Sequence, residues 1–118
     1  MSEQQHHHHQ IDYVEISVLD IEASKKFFSD AFEWEFTDYA PHYVGLKKNG
    51  QEFGGLAQVE KVNGGGPLVI LFSNELEKTL EQVKNAGGTI VKEIFEFPGG
   101  RRFHLHDPSG NEFAVWAK

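Results

Sequence analysis

Arg102, His104 and His106 alternate along one short stretch of this chain. Glu112 and Trp116 follow across a turn, and Glu15 stands near the start. An arginine can grip a carboxylate or phosphate through two parallel hydrogen bonds. A histidine exchanges a proton near neutral pH, and a carboxylate can orient it or act as a base. These residue types therefore allow two chemistries, anchoring a small anion and moving a proton. The spacing supports a common location. In a strand, residues two apart share a face and lie about 6–7 Å apart. Arg101 and Arg102 are consecutive and point to opposite sides, so only one faces inward; the inward choice is Arg102.

Each candidate has a plainer reading beside the chemical one. Glu15 is a general base or a ligand acceptor, or simply a charge paired with Arg102 on a neighbouring strand. His104 is a proton donor or a metal ligand. His104 and His106 could equally be two half-exposed sheet histidines, with His106 bonded to Asp107 at the turn. Tyr13, Tyr43, Phe53 and Trp116 would wall a pocket for a planar or amphipathic ligand, or be ordinary core. The expected catalytic pair is Glu15 and His104. The expected ligand-binding set is Tyr13, Tyr43, Phe53, Arg102, His106, Glu112 and Trp116. His42 follows Pro41 in a loop and reads as a surface residue.

The elements that must position these groups follow from periodicity. Ile11–Leu19 alternates as a strand, and Asp20 fits an N-cap for a helix running to about Phe32. Trp34–Phe36, Tyr43–Lys48 and Gln51–Val59 read as strands, with Lys48-Asn49-Gly50 as a turn. The Gly54-Gly55 pair suggests a bulge or a close approach by a ligand or another backbone. Val62–Pro67, with three consecutive glycines, reads as a linker. A second set then begins. Leu68–Phe72 is a strand, and Asn74 is expected to cap a helix with Glu77 as its capping-box partner. The buried stripe of that helix is Leu76, Leu80, Val83 and Ala86. Thr89–Phe97 and a final hairpin close the chain. In the hairpin, Pro108 presets a negative φ and Gly110 or Asn111 takes a positive one.

Each half thus reads strand, helix, three strands. The fold class is α+β, with two βαβββ modules at 11–62 and 67–118 in one domain, 11–118. One helix covers one sheet face. Val14, Ile16 and Val18 are expected under the first helix, and Leu68, Ile70 and Phe72 under the second. Tyr13, Glu15, Ser17, Arg102, His104, His106, Glu112 and Trp116 would then point to the concave sides of the sheets, with the helices outside. Residues 1–10, with His6–His9, read as a disordered His-rich tail or a tag remnant and are left out of the site.

Composition narrows the partners. The net charge is −7, which disfavours nucleic acid and anionic membranes. Cysteine is absent, which rules out disulfides and a thiolate nucleophile and is compatible with the cytoplasm. No apolar run reaches the roughly 20 residues of a membrane span. The chain has no nucleophile elbow, no phosphate-binding glycine loop with lysine and no zinc motif.

Three separated segments carry a resemblance. Val18–Phe28, Phe32-Glu33-Trp34 and Asp107–Glu112 resemble the vicinal oxygen chelate superfamily, which includes glyoxalase I, bleomycin-resistance proteins and extradiol dioxygenases. The likeness runs from Ile11 to Lys118 and is nearest to the lactoylglutathione-lyase-related branch. In that branch the helix end carries a glycine where this chain has Glu33. The resemblance implies the glyoxalase/bleomycin-resistance fold and a homodimer. Its metal-binding positions fall on Tyr13, near Gly55 or Leu56, near Pro67 and on Ala114. None is a histidine or a carboxylate, so the family metal site is expected to be absent, with no cofactor. A relocated divalent metal on Glu15, His104, His106 or Glu112 is the alternative.

The expected function is binding of a small organic molecule in the concave cavity, as bleomycin-resistance proteins do. The alternative is a lyase or isomerase using Glu15 and His104. A third possibility is a structural or regulatory protein that holds a peptide in the same groove.

Overall fold

The computed structural model describes residues 5–62 and 66–118. The chain runs β1 (Ile11–Val18), α1 (Ile21–Phe32), β2 (Glu35–Ala40), β3 (Tyr43–Lys48) and β4 (Gln51–Gln58). It continues β5 (Leu68–Phe72), α2 (Leu76–Asn85), β6 (Thr89–Phe97), β7 (Gly100–His106) and β8 (Glu112–Ala117). This is the βαβββ order twice. The chain divides into two compact units, the first holding residues 5, 13–62 and 66–67 and the second holding 6–12 together with 68–118. Asn63, Gly64 and Gly65 of the expected linker lie outside the described residues, as does the start of the expected tail.

In module one the strands lie in the order β2-β3-β4-β1, with β1 parallel to β4 and the other pairs antiparallel. In module two the order is β6-β7-β8-β5, again with the first strand of the unit parallel to the last. The halves therefore share a topology as well as an element order. Each buries one sheet face under its helix. In module one Ile21, Val44, Leu46 and Leu56 form the core, with Ile16, Val18, Phe28 and Trp34 packed against it. In module two Leu76, Leu80, Phe103, Val115 and Ala117 do so, with Leu71, Val83 and Leu105 around them.

The expected side assignment holds for Ile16 and Val18 and fails for β5. Parallel pairing sets Leu71 opposite Val115 and Phe72 opposite Trp116. Leu71 thus joins the core under α2, and Ile70 and Phe72 turn to the other face. A continuous apolar run has no alternation from which its phase can be read.

Capping separates the helices. Asp20 accepts a hydrogen bond from the Ala23 amide at 3.1 Å, as expected. Asn74 does not cap α2: the N-cap is Glu75, without a side-chain cap bond. Ser73 supplies the polar group instead. Its buried hydroxyl accepts from the Glu75 amide at 2.9 Å and pairs with Thr79 Oγ1 at 2.7 Å. Glu77 pairs with Arg101 rather than closing a capping box. Ala86 is exposed and lies past the end of α2.

The start of the chain also departs from expectation. The described part of the tail, Gln5–Gln10, is in part docked on module two. His9 N donates to the Phe72 carbonyl at 2.7 Å, and Phe72 N donates to the Gln10 carbonyl at 3.1 Å.

At the end of α1, Glu33 adopts φ 60° and ψ 33°, and its amide bonds back to the Phe28 and Ser29 carbonyls. This left-handed cap is a conformation that glycine takes without a Cβ penalty. Glu33→Gly is expected to raise stability by about 1 kcal/mol, measured as a higher urea midpoint with an unchanged slope.

Candidate functional site

The faces turned away from the helices carry the chemistry, and each module has its own. In module one, β1 and β3 aim Tyr13, Glu15 and Tyr43 to the same side. The Tyr13 and Tyr43 hydroxyls are 2.7 Å apart. Tyr43 donates to Glu15 Oε1 at 3.2 Å, so Tyr13 is the donor to Tyr43. The room for this chain of hydroxyls comes from Gly55, where a Cβ would collide with both of them. At its neighbour Gly54 a Cβ would strike the Val14 carbonyl on the adjacent strand. The expected close approach at the glycine pair is therefore one of backbone and tyrosine. Burial pushes the Tyr13 and Tyr43 hydroxyls well above the ordinary tyrosine range, so both remain donors at neutral pH. Beside them Tyr39 donates to Glu52 at 2.7 Å. That bond, with burial, pushes Tyr39 up to about 12.

Phe53 does not join this face. It packs in the core and meets Trp34 edge-on at 4.9 Å. The β3–β4 register skips it, pairing Leu46 with Gly54 and Lys47 with Glu52. One extra residue in a strand re-aims its side chain, and Phe53 is that residue. A hollow of about 270 Å³ lies elsewhere in module one, lined by Ile21, Glu22, Asp38–Pro41 and Val44. None of the expected site residues lines it.

In module two, β7 and β8 bring most of the expected set to one face. His106 lies opposite Glu112, His104 opposite Ala114, and Arg102 opposite Trp116. The Glu112 carboxylate reaches both histidines, at 2.8 Å from His104 Nδ1 and 3.8 Å from His106 Nε2. An ionised carboxylate only accepts, so Nδ1 of His104 carries the proton and Nε2 keeps its lone pair. Nε2 is buried and has no hydrogen-bond partner among the described residues. Burial lowers the His104 pKa below its ordinary value, while the bond to Glu112 works in the opposite sense.

Arg102 lies over two aromatic rings, its guanidinium carbon 5.5 Å from the centroids of both Phe95 and Phe97. Phe95 also stacks on His104, with centroids 5.8 Å apart, and carries Lys92 Nζ at 5.4 Å. Trp116 donates its indole N–H to Asp12 Oδ2 at 2.9 Å. Arg101 points the other way and pairs with Glu77. The turn between β7 and β8 is held by Asp107, which accepts from the Ser109 and Asn111 amides at 2.9 Å each. These bonds, above all those from Asn111, hold the Asp107 carboxyl below the usual range.

Phe95, Phe97, Phe72 and Asp12 were not among the expected site residues. Asp12 had a signal. It falls in the apolar phase of β1 with Val14, Ile16 and Val18, where a charge needs a partner. Phe95 and Phe97 alternate in β6 and could have been placed beside Arg102 once β6 and β7 were paired.

The family metal does not fit this chain. Tyr13 offers a protonated hydroxyl already bonded to Tyr43, Gly55 offers no side chain, and Ala114 is buried without a donor. Among the described residues no three His, Asp or Glu side chains converge in a way that could hold an ion.

His104 is expected to titrate below the 6.5 of a free histidine, read from its Hε1 shift by NMR. Glu112→Gln removes the influence that favours the imidazolium, so the midpoint should fall further. The unfolded chain then binds more protons than the folded one just below pH 6.5. The stability contributed by neutral His104 is lost as the pH falls through that window. A midpoint above 6.5 in the parent chain would contradict this environment.

Comparisons with known proteins agree with the fold. A glyoxylase-like domain-containing protein of Didymella fabae is 29% identical over 119 residues, covering 92% of this chain and 93% of its own. A glyoxalase/bleomycin resistance protein/dioxygenase superfamily member from Vibrio splendidus superposes with a TM-score of 0.72 at 20% identity, covering 93% of this chain and 99% of that one. Methylmalonyl-CoA epimerase from Mycobacterium tuberculosis superposes with a TM-score of 0.70 at 15% identity, covering 91% and 86%. At these identities the structures show a shared fold. Residues 10–115, nearly the whole chain, match the family itself, and the chain belongs to the Glyoxalase/Bleomycin resistance protein/Dioxygenase superfamily.

Proposed function

We propose that this chain binds a small aromatic anion on the face of module two turned away from α2, and does so without the family metal. The observation that carries this reading is Arg102 lying over Phe95 and Phe97 at 5.5 Å from each ring. Packing against rings orients a guanidinium, and the planar fork of this group matches a carboxylate. Lys92 adds a second cation beside it, on a protein whose net charge is −7. The flat rings of Phe95, Phe97 and Trp116 offer apolar surface for the body of such a ligand.

A second reading rests on a separate observation. With Nδ1 of His104 held by Glu112, the buried Nε2 keeps the lone pair a general base requires, and uncovering it is part of this reading. A lyase or isomerase of this kind would use His104 as base. Its test is deuterium uptake into a methylglyoxal–thiol adduct in heavy water. Uptake that survives in His104→Gln removes His104 from the chemistry.

For the binding reading, 4-hydroxybenzoate is titrated while Trp fluorescence is followed. Arg102→Gln is expected to weaken binding by about 10- to 100-fold, the worth of a charge-assisted hydrogen-bond pair. Arg102→Lys should recover only part of the loss, because an ammonium lacks the fork. Equal binding by the parent chain and Arg102→Gln, with folding checked by circular dichroism, would overturn the reading.

A further inference from the structure

The same face of module two contains a slot that the chain fills with its own N-terminal arm. The His6 imidazole stacks on Phe72, with ring centroids 5.1 Å apart and planes at 25°. It meets Trp116 at 4.9 Å and 87°. Nδ1 of His6 lies 2.7 Å from Asp12 Oδ1, and the other Asp12 oxygen accepts from the Trp116 indole. The His6 and Asp12 side chains are only 14% and 8% exposed. A carboxylate this buried needs hydrogen-bond donors. Trp116 supplies one from β8, while the other comes from His6, on the segment ahead of β1.

Three walls define what the slot accepts. Phe72 gives a flat apolar floor, Trp116 a perpendicular side and Asp12 an acceptor in reach of the occupant's ring nitrogen. A flat ring with an N–H on its edge satisfies all three; an aliphatic group satisfies only the apolar surfaces. We propose that Phe72, Trp116 and Asp12 form a binding site for planar nitrogen heterocycles bearing a ring N–H, with imidazoles as the fitting class, and that His6 is its displaceable intramolecular occupant.

The arm is attached by a few bonds beyond the slot. Besides the backbone pair at Phe72, the Asn74 amide donates to His8 Nδ1 at 2.9 Å and His9 Nε2 meets Thr79 Oγ1 at 2.9 Å. These hold the arm close when His6 leaves, so a free ligand competes against a tethered one. A short tether presents its group at an effective concentration in the millimolar range, which sets the scale of that competition.

The experiment uses the full chain and imidazole itself at about pH 9, where the free ring is neutral. The Trp116 indole N–H resonance reports occupancy. His6→Ala is expected to bind imidazole at least about tenfold more tightly than the parent chain, because the tethered competitor is gone. The double variant His6→Ala/His7→Ala should do the same, which excludes re-entry by the next histidine. Asp12→Asn in the His6→Ala background should lose the gain while keeping an acceptor for the indole. 1-Methylimidazole, with no N–H when neutral, should bind His6→Ala more weakly than imidazole. Equal imidazole binding by the parent and both histidine variants, or no effect of Asp12→Asn, would overturn the proposal. Imidazole carries no anion, and its titration is read on His6 and Asp12 variants, whereas the anion site is read on Arg102 with 4-hydroxybenzoate. Failure of either titration leaves the other standing.

Discussion

A four-stranded sheet with one helix has one covered face, and most of the character of this chain follows from that constraint. Each module spends its apolar residues on the covered face. Phe103, Val115 and Leu80 lie under α2, and Leu46, Leu56 and Ile21 lie under α1. The opposite faces receive tyrosine, histidine, arginine and carboxylate, joined in module two by Phe72, Phe95 and Phe97. Polar groups partly withdrawn from water must find partners. The Tyr13–Tyr43–Glu15 chain and the His104–Glu112 pair are two such solutions. One uses neutral donors stacked above a glycine. The other uses an imidazole kept neutral by burial and fixed in one tautomer by a carboxylate.

The two solutions have different chemical value. The tyrosine chain satisfies its own groups internally, and burial keeps both hydroxyls protonated. It is well suited to holding shape and to donating hydrogen bonds. The histidine pair leaves a lone pair on Nε2 and sits next to a guanidinium backed by aromatic rings. An acceptor, a planar cation and flat apolar surfaces on one face are complementary to an aromatic acid. The positions at which the resemblance expects the family's metal include Tyr13 and Ala114, neither a histidine nor a carboxylate.

Much of this was legible in the sequence where periodicity is strong. The element order, the Asp20 cap and the Asp107–Asn111 turn follow from residue types at fixed offsets, and the structure has them all. So does the shared face of Arg102, His104, His106, Glu112 and Trp116. Three features were not legible, each for a physical reason. Leu68–Phe72 is apolar on both faces, so its phase is set by its register with β8. Phe53 is the extra residue of a bulge; the Gly54-Gly55 pair marks a bulge as one of two readings, but not which residue is the extra one. Ser73 replaces Asn74 at the start of α2 because its hydroxyl is buried against Thr79, a contact that depends on the folded helix. The histidines at the start of the chain resemble a solvated tail by composition. His6 packs because Asp12, itself in the apolar phase of β1, needs a donor.

In the proposed function the helix-free face of module two, around Arg102, recognises the ligand. Intermolecular NOE measurement between bound 4-hydroxybenzoate and the side chains of this chain tests this. The expected NOEs run from the ligand ring to Phe95, Phe97 and Trp116, with none to Phe103 or Leu80 beneath α2. NOEs confined to the α2 side, or to the hollow beside Tyr39 and Pro41 in module one, would contradict it.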